Sequence, residues 1–379
     1  MHKQTHYVRP DSFSQVPYEH DRVLSLQDIE ALAIGTWILG TGGGGSPYLN
    51  LLNMRKLYQE NHRITLTDPL FLPDNALVAV VSTQGAPIVG QERLSNPAMS
   101  VKPLRILEEY LGRKFDAVMA LEIGGGNGLL PLMISAMTGI PVVDADCMGR
   151  AYPEAQMTSF SVANLACFPL AMADIRDNEV LIKRAENWQW VERISRNICV
   201  QFGSTATTCK APRSGVEVKN FGVLHTTSEA IRLGQAVLEA REQHADPVKA
   251  IIDNSHGRLI FTGKVTGIER RTTEGFLKGQ AQLEGLDAHQ GSQFILDFQN
   301  EFSVGWQDAD PVVMTPDLIC VVASETGEGI ATETMRYGQR VTVLALPAAP
   351  IFLTENGLRL VGPRAFGFDF DYRSVFEEK

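Results

Sequence analysis

Hydrophobic and polar residues follow two different patterns along this chain. In the N-terminal half, short apolar runs such as 77–81 and 117–123 alternate with stretches whose apolar residues recur at helical spacing, as Ile29 and Leu32 do. Strands that alternate with helices are typical of a parallel sheet with helices on both faces. The pattern therefore predicts a three-layer αβα domain with a mainly parallel sheet over residues 21–200.

From His256 onwards the period of the pattern changes. Short runs of alternating apolar and polar residues are separated by glycine and charged turns at fairly regular spacing. This arrangement is typical of antiparallel barrels and sandwiches. We therefore expect an α/β plus β protein, whose residues 201–379 form a β-barrel-like domain that includes an amphipathic helix at 225–243. Residues 1–20 are polar and are expected to form a flexible arm.

Composition narrows the classes of protein to consider. The 379 residues carry 34 Lys and Arg against 44 Asp and Glu, a net charge of -10 that disfavours a nucleic-acid partner. No apolar run reaches the ~18 residues that a membrane span needs, and the N-terminus lacks the apolar core of a signal peptide. The five cysteines form no CxxC pair, which favours a reduced, cytoplasmic protein.

The densest group of chemically active residues lies in the segment 117–154. The segment reads as a strand that ends in Glu122, a glycine loop at 124–128, a helix and a second strand followed by polar residues. Ligands of open α/β sheets bind at the carboxyl ends of the strands. We therefore expect the active site in this segment.

Four residues of this segment are candidates for catalysis. Asp144 and Asp146 are two apart, so on one strand their side chains point the same way. Two carboxylates this close repel each other unless they bind a cation, share a proton or pair with Arg150. The pair can therefore supply a general base or a metal site, or it can simply cap a helix. Glu122 and Cys147 complete the catalytic set, although a cysteine in an α/β core is often inert packing.

A metal ion is one way to satisfy these carboxylates. Asp144, Asp146 and Cys147 are the candidate ligands, and a divalent metal such as zinc is the cofactor to consider. No HxH, HExxH or HxxE pattern occurs among the eight histidines, so a histidine-rich zinc site is not indicated.

Two glycine loops precede predicted helices and can present backbone N–H groups to a ligand. In the first loop, 40–47, four successive glycines precede Ser46 and Pro47, which favour the start of a helix. The N-terminus of a helix is a favourable place for an anion to bind. The alternative is a tight turn or close packing of elements. The second loop partly matches a dinucleotide-binding fingerprint, but Leu129 stands at its third glycine position, so that match is weak.

The residues expected to bind substrate come from both glycine loops and from the segment after the second strand. Two more, Asn300 and Glu301, are polar residues that interrupt an alternating apolar run near the C-terminus. That interruption breaks the alternating run FILDFQNEFSVGW and is expected to mark a bulge that faces the other domain. The full set is Gly42, Gly43, Gly44, Gly45, Ser46, Gly124, Gly125, Gly126, Asn127, Arg150, Tyr152, Glu154, Asn300 and Glu301.

Four motifs of the chain together resemble one known family. They are GTGGGGSP, LEIGGGNGLLPL, PVVDADCMGRAYPE and FQNE, and the similarity extends over nearly the whole chain. The family is that of the S-methyl thiohydantoin desulfurase-like proteins, which are bacterial and are often encoded near, or fused to, hydantoinase/oxoprolinase-type proteins. The resemblance implies an αβα domain followed by a β-barrel domain.

The resemblance also implies an activity. It suggests a hydrolase for a small cyclic amide, which releases methanethiol from an S-methyl thiohydantoin and leaves a hydantoin. The expected partners are this small molecule and a hydantoinase/oxoprolinase-type protein, and we expect a homo-oligomer. Two alternatives stay open: a non-catalytic subunit or regulator of a hydantoinase/oxoprolinase-type enzyme, and a nucleotide-binding oxidoreductase.

Overall fold

Two β-sheets organise the chain in the computed structural model, which describes residues 21–86, 89, 96–273 and 276–377. The predicted arm, 1–20, lies outside the described residues. The first sheet has eight strands, and a two-stranded ribbon lies beside it. The strands of both are β1 (Asp21–Val23), β2 (Thr65–Thr67), β3 (Leu77–Gly85), β4 (Ala117–Ala120), β5 (Val142–Val143), β6 (Ala145–Asp146), β7 (Leu170–Ala173), β8 (Glu179–Ile182), β9 (Thr205–Ser214) and β10 (Val223–Leu224).

The first sheet is mixed rather than mainly parallel. Its order is β1-β2-β5-β4-β3-β9-β7-β8, and the ribbon pairs β6 with β10. The three pairs from β2 to β3 are parallel, and the remaining four are antiparallel. The change of direction occurs because β9 starts beside the carboxyl end of β3, where Thr205 pairs with Gly85, and runs back along that strand. The sheet therefore includes a strand from beyond residue 200.

Helices cover both faces of this sheet. Along β4, Val118 packs into one hydrophobic core, whereas Ala117 and Met119 pack into a second core on the other face. Within the described ranges, no helix combines the length and the apolarity needed to cross a membrane. The helices are α1 (Leu26–Leu39), α2 (Tyr48–Gln59), α3 (Pro97–Leu111), α4 (Leu130–Thr138), α5 (Ser159–Val162), α6 (Trp188–Gln201), α7 (Gly215–Phe221), α8 (Thr226–Glu242), α9 (Pro247–Ser255) and α10 (Glu355–Val361).

The second sheet is a curled, antiparallel half-barrel of seven strands. Counted from 11 to 17 as they occur along the chain, its strands lie side by side in the order 15-14-13-12-11-17-16. Every neighbouring pair is antiparallel. This agrees with the alternating pattern of the sequence. The strands are β11 (Arg258–Thr273), β12 (Phe276–Gly285), β13 (Gln293–Gln299), β14 (Glu301–Gln307), β15 (Asp310–Met314), β16 (Leu318–Ala323) and β17 (Arg340–Leu346).

Helices α1 and α8 lie between the two sheets and cross at very close range. A Cβ atom on Gly35 of α1 would lie 1.9 Å from the carbonyl oxygen of Ala230, and one on Gly234 of α8 would lie 1.8 Å from the carbonyl oxygen of Ala31. Leu344 of the second sheet also packs into the hydrophobic core that these helices share. The crossing therefore joins the two sheets through one continuous core.

We expect Gly35→Ala to destabilise the protein by about 2–3 kcal/mol, because the added methyl group forces the two helices apart. This loss exceeds the gain of about 1 kcal/mol in helix propensity. Chemical denaturation followed by circular dichroism measures the change. Glu239→Ala, at an exposed position of α8, is the matched control and should leave the free energy of unfolding almost unchanged. Equal stability of the Gly35 and Glu239 variants would contradict a close helix crossing.

Candidate functional site

The two glycine loops pack directly against each other. The backbone N–H of Gly126 donates hydrogen bonds to the carbonyl oxygens of Gly44 (3.1 Å) and Gly45 (2.8 Å). A Cβ atom on Gly125, whose φ is +66°, would lie 2.5 Å from the carbonyl carbon of Gly44. The glycines are thus required for contact between the loops, and the N–H of Gly126 is already occupied. Donation to a ligand by the other loop amides stays a prediction.

A hairpin of the second sheet reaches this pair of loops. Asn300 forms its tip at a φ of +60°, where it exchanges hydrogen bonds with the backbone of Leu277. The predicted bulge is therefore a turn between two strands. The next residues bind the first glycine loop, since the N–H of Phe302 donates to the carbonyl oxygen of Thr41 at 2.8 Å. The hairpin thereby places Glu301 beside that loop.

Gly43 provides the space for the Glu301 side chain. A Cβ atom on Gly43 would lie 1.9 Å from Oε1 of Glu301, and the N–H of Gly44 hydrogen-bonds the same carboxyl group. No side chain other than hydrogen fits at position 43 without displacing the carboxyl group. The glycine run therefore makes room for a residue that lies more than 250 positions later in the chain.

A cavity of about 600 Å³ opens where these parts meet, next to the carboxyl ends of β3 and β4. This is the edge of the sheet at which ligands of α/β proteins bind. Ten of the predicted site residues line it: Gly44, Gly45, Ser46, Glu122, Gly126, Asn127, Tyr152, Glu154, Asn300 and Glu301. Eight do not line it: Gly42, Gly43, Gly124, Gly125, Asp144, Asp146, Cys147 and Arg150.

Glu122 is held in one position on the wall of this cavity. Its carboxyl group accepts hydrogen bonds from Nδ2 of Asn127 at 2.5 Å and from the backbone N–H of Tyr152 at 3.2 Å. Asn127 is itself oriented by the N–H of Thr83, which donates to Oδ1 at 2.7 Å. Burial raises the pKa of Glu122 to about 7, although these hydrogen bonds act in the opposite direction. The carboxyl group can therefore gain or lose a proton near neutral pH.

Glu301 faces the same cavity but keeps its proton to higher pH. Burial and then the negative charge of Glu122 raise the pKa of Glu301 well above its usual value. Its Oε2 atom has no hydrogen-bond partner among the described residues. The cavity thus contains two neighbouring carboxyl groups with separated pKa values, of which Glu122 ionises first.

Lys210 is a cavity residue that the sequence reasoning missed. It lies on β9 opposite Val80 of β3, and only 3% of the residue is exposed. Burial lowers the pKa of its amine, and the nearby Glu192 and Glu122 oppose this effect. The available signal was a lysine between Cys209 and Ala211 in a strand-forming run, but the polar surroundings indicated a domain boundary instead.

Asp146 is buried beneath the second glycine loop rather than exposed to the cavity. Its carboxylate accepts hydrogen bonds from the backbone N–H groups of Ile123 (2.8 Å), Met148 (3.2 Å) and Gly149 (2.8 Å). Burial raises its pKa to about 8. These bonds connect the segment that follows β4 to the segment that follows β6. A catalytic role for Asp146 stays a prediction.

Asp144 points towards the start of α8. It accepts hydrogen bonds from the N–H (3.0 Å) and the hydroxyl (2.5 Å) of Ser228, and its Oδ2 lies 3.7 Å from Nδ1 of His225. Carboxylates near a helix N-terminus are stabilised by the helix dipole. The side chain thus acts as a cap, which was one of the interpretations that the sequence left open.

Cys147 is fully buried, and its thiol donates to the carbonyl oxygen of Ala120 at 3.6 Å. Burial and then the charge of Asp146 raise the pKa of this thiol well above its usual value, so it stays protonated at neutral pH. Asp144, Asp146 and Cys147 each have different partners. In the part of the chain that the structure describes, no three His, Cys, Asp or Glu side chains form a group that could hold a metal ion.

Arg150 connects the two sheets instead of lining the cavity. The residue is 1% exposed, and its guanidinium donates to the hydroxyl of Thr41 at 2.7 Å and to the carbonyl oxygen of Asp317 at 3.0 Å. It also stacks on the ring of Tyr152, 4.5 Å from the ring centroid. Arg150 thus fixes the first glycine loop to the segment that leads into β16.

The fold is shared with a solved structure. The crystal structure of a protein from Chromobacterium violaceum matches with a TM-score of 0.78 and 22% sequence identity, over 93% of this chain and 99% of that chain. At this level of identity the match shows a common fold. No curated protein matches the chain.

Family models cover almost the entire described chain. The model of the S-Me-THD-like N-terminal domain matches residues 27–184, and that of the S-Me-THD-like C-terminal domain matches residues 186–375. The two matches are adjacent and include both glycine loops, Glu122, Lys210 and Glu301. The chain therefore belongs to the S-Me-THD-like family, the S-methyl thiohydantoin desulfurase-like proteins that its motifs resemble.

Proposed function

We propose that this protein hydrolyses a small cyclic substrate of the thiohydantoin type, converting an S-methyl thiohydantoin and water into a hydantoin and methanethiol. The observation that carries the proposal is the pair of buried carboxyl groups, Glu122 and Glu301, at one cavity. Their environments separate their pKa values, which is the arrangement expected of a general base next to a general acid. Family membership supports the substrate class.

In the first part of the proposed reaction, water adds to C2 of the ring. Ionised Glu122 accepts a proton from the water as the C–O bond forms, and the electron pair of the C2–N3 double bond moves to N3. Protonated Glu122 then passes that proton to N3. This leaves a tetrahedral carbon that carries a hydroxyl group and the methylthio group.

In the second part, the C2–S bond breaks. Glu122 accepts the hydroxyl proton as the C2–O double bond forms, while Glu301 donates its proton to the departing sulfur. The products are hydantoin and methanethiol. Transfer of one proton from Glu122 to Glu301 restores the starting state, and the hydrogen bonds that Asn127 and Tyr152 donate to Glu122 favour this direction because they stabilise its ionised form.

We expect Glu122→Gln to lower kcat for methanethiol release from an S-methyl thiohydantoin by about 10²- to 10⁴-fold, the usual contribution of a general base. The amide keeps the shape of the side chain but cannot accept the proton. A thiol-reactive dye measures the released methanethiol. Glu239→Gln, an exposed change on α8, is the matched control and should retain wild-type activity. Full activity of Glu122→Gln would remove Glu122 from the mechanism and return Asp146 to consideration.

The pH dependence provides a separate test of the base. Because Glu122 must be ionised, kcat/KM should rise as the pH increases through about 7, the pKa of that group. It should fall again at higher pH, where Glu301 loses the proton that it donates. Steady-state rates measured from pH 5 to 10 would show this bell shape. A flat profile across neutral pH would be inconsistent with Glu122 as the base.

The remaining expectations concern partners. Association with a hydantoinase/oxoprolinase-type protein and assembly into a homo-oligomer stay predictions. If the purified protein releases no methanethiol from an S-methyl thiohydantoin, the hydrolase proposal fails.

A further inference from the structure

The proposed mechanism does not use Lys210, although this side chain lies in the cavity wall. The residue is 3% exposed, and its backbone pairs with β3, whereas its amine forms no hydrogen bond or ion pair within the described ranges. Because Nζ has no partner and yet is not one of the fully enclosed unpartnered atoms of the described residues, it is open to the cavity that the residue lines. A ligand in the cavity that supplies an acceptor atom can therefore accept a hydrogen bond from this amine.

The position of Lys210 relative to Glu122 leaves space for a ring. Lys210 of β9 pairs with Val80 of β3, which pairs in turn with Met119 of β4, the strand that leads to Glu122. Neighbouring strands lie about 4.8 Å apart, and Glu122 comes three residues after Met119, so the two side chains start two strands apart and are also offset along the sheet. Their charges interact, yet they form no ion pair. Both residues line the same cavity of about 600 Å³, so a five-membered ring bound there can contact Glu122 with one atom and Lys210 with another.

The proposed chemistry indicates which atom of the ring faces Lys210. Glu122 and Glu301 both act at C2, the carbon that water attacks. When the C2–N3 electron pair moves to N3, the negative charge is shared with the oxygen of the neighbouring C4 carbonyl group. A hydrogen bond donated to that oxygen stabilises the transition state more than the ground state, because the oxygen becomes more negative. Donors of this kind contribute strongly to catalysis.

We propose that Lys210 donates a hydrogen bond to the C4 carbonyl oxygen of the bound ring and is a catalytic residue that stabilises the charge developing there. The assignment of the oxygen rests on the proposed function, because that function supplies the ring. Lys210 should make the same hydrogen bond to hydantoin, the product, because hydantoin keeps the C4 oxygen. Binding can therefore be measured without turnover.

The test compares two rings on two proteins by titration calorimetry. Hydantoin has the C4 oxygen, whereas imidazolidinone is the same cyclic urea without it. Lys210→Met should weaken hydantoin binding by about 10- to 100-fold, the usual effect of losing a hydrogen bond to a charged group. The same variant should bind imidazolidinone as the wild type does, which also shows that its cavity is folded. Lys249→Met, at an exposed position of α9, is the matched control and should bind both rings normally.

The outcomes separate this inference from the proposed function. If Lys210→Met weakens both rings equally or weakens neither, the contact with the C4 oxygen is wrong, although methanethiol release by the wild type would still support the hydrolase. If hydantoin binding shows the expected loss but no methanethiol is released, the contact is correct and the hydrolase proposal fails. If the wild-type protein binds neither ring, the contact with the C4 oxygen is wrong, and methanethiol release alone decides the hydrolase proposal.

Activity provides the second readout. In a wild-type protein that releases methanethiol, Lys210→Met should lower kcat by about 10²- to 10³-fold, the effect of removing one donor to a developing negative charge. Lys210→Arg should recover part of this loss because it restores a cationic donor. Equal kcat values for wild type and Lys210→Met would overturn the catalytic role.

Discussion

The contact between the first glycine loop and the hairpin of the second sheet is the constraint on which the rest of the site depends. It brings Glu301 against Gly43, and it is held by the hydrogen bond from Phe302 to Thr41. The hydroxyl of Thr41 also accepts a hydrogen bond from the buried Arg150, which donates as well to the carbonyl oxygen of Asp317 in the segment that leads into β16. These bonds join segments from both parts of the chain, and residues of both parts line the cavity.

Docking also determines the chemistry of the cavity. A carboxyl group that is removed from water favours its neutral form, and a second carboxyl group nearby strengthens this preference. Glu122 retains hydrogen bonds from Asn127 and Tyr152, whereas one oxygen of Glu301 has no partner among the described residues. This difference separates the pKa values of the two groups. Two chemically identical side chains thus become suited to opposite roles.

Much of the local structure follows from short-range sequence signals. A capping box begins α1, where Ser25 and Asp28 exchange side-chain to backbone hydrogen bonds, and the spacing Ser25-Leu26-Gln27-Asp28 is a sequence signal for it. Gly112 and Gly139 end their helices in the left-handed conformation, as a helix C-terminus favours. The alternating pattern after His256 corresponds to the antiparallel second sheet. These features depend on neighbours within a few residues, so the sequence contains the information needed to predict them.

The sequence by itself determined the classes of secondary structure, the two glycine loops and several cavity residues, among them Glu122 and Glu301. Only the tertiary structure decided which polar groups face the cavity. Asp144 and Asp146 lie two apart, but Asp144 follows β5 and Asp146 belongs to β6 of a separate ribbon, so strand alternation does not apply across them. Lys210 enters the site because β9 returns beside β3. Such placements depend on contacts between distant segments, and no local pattern of residues encodes them.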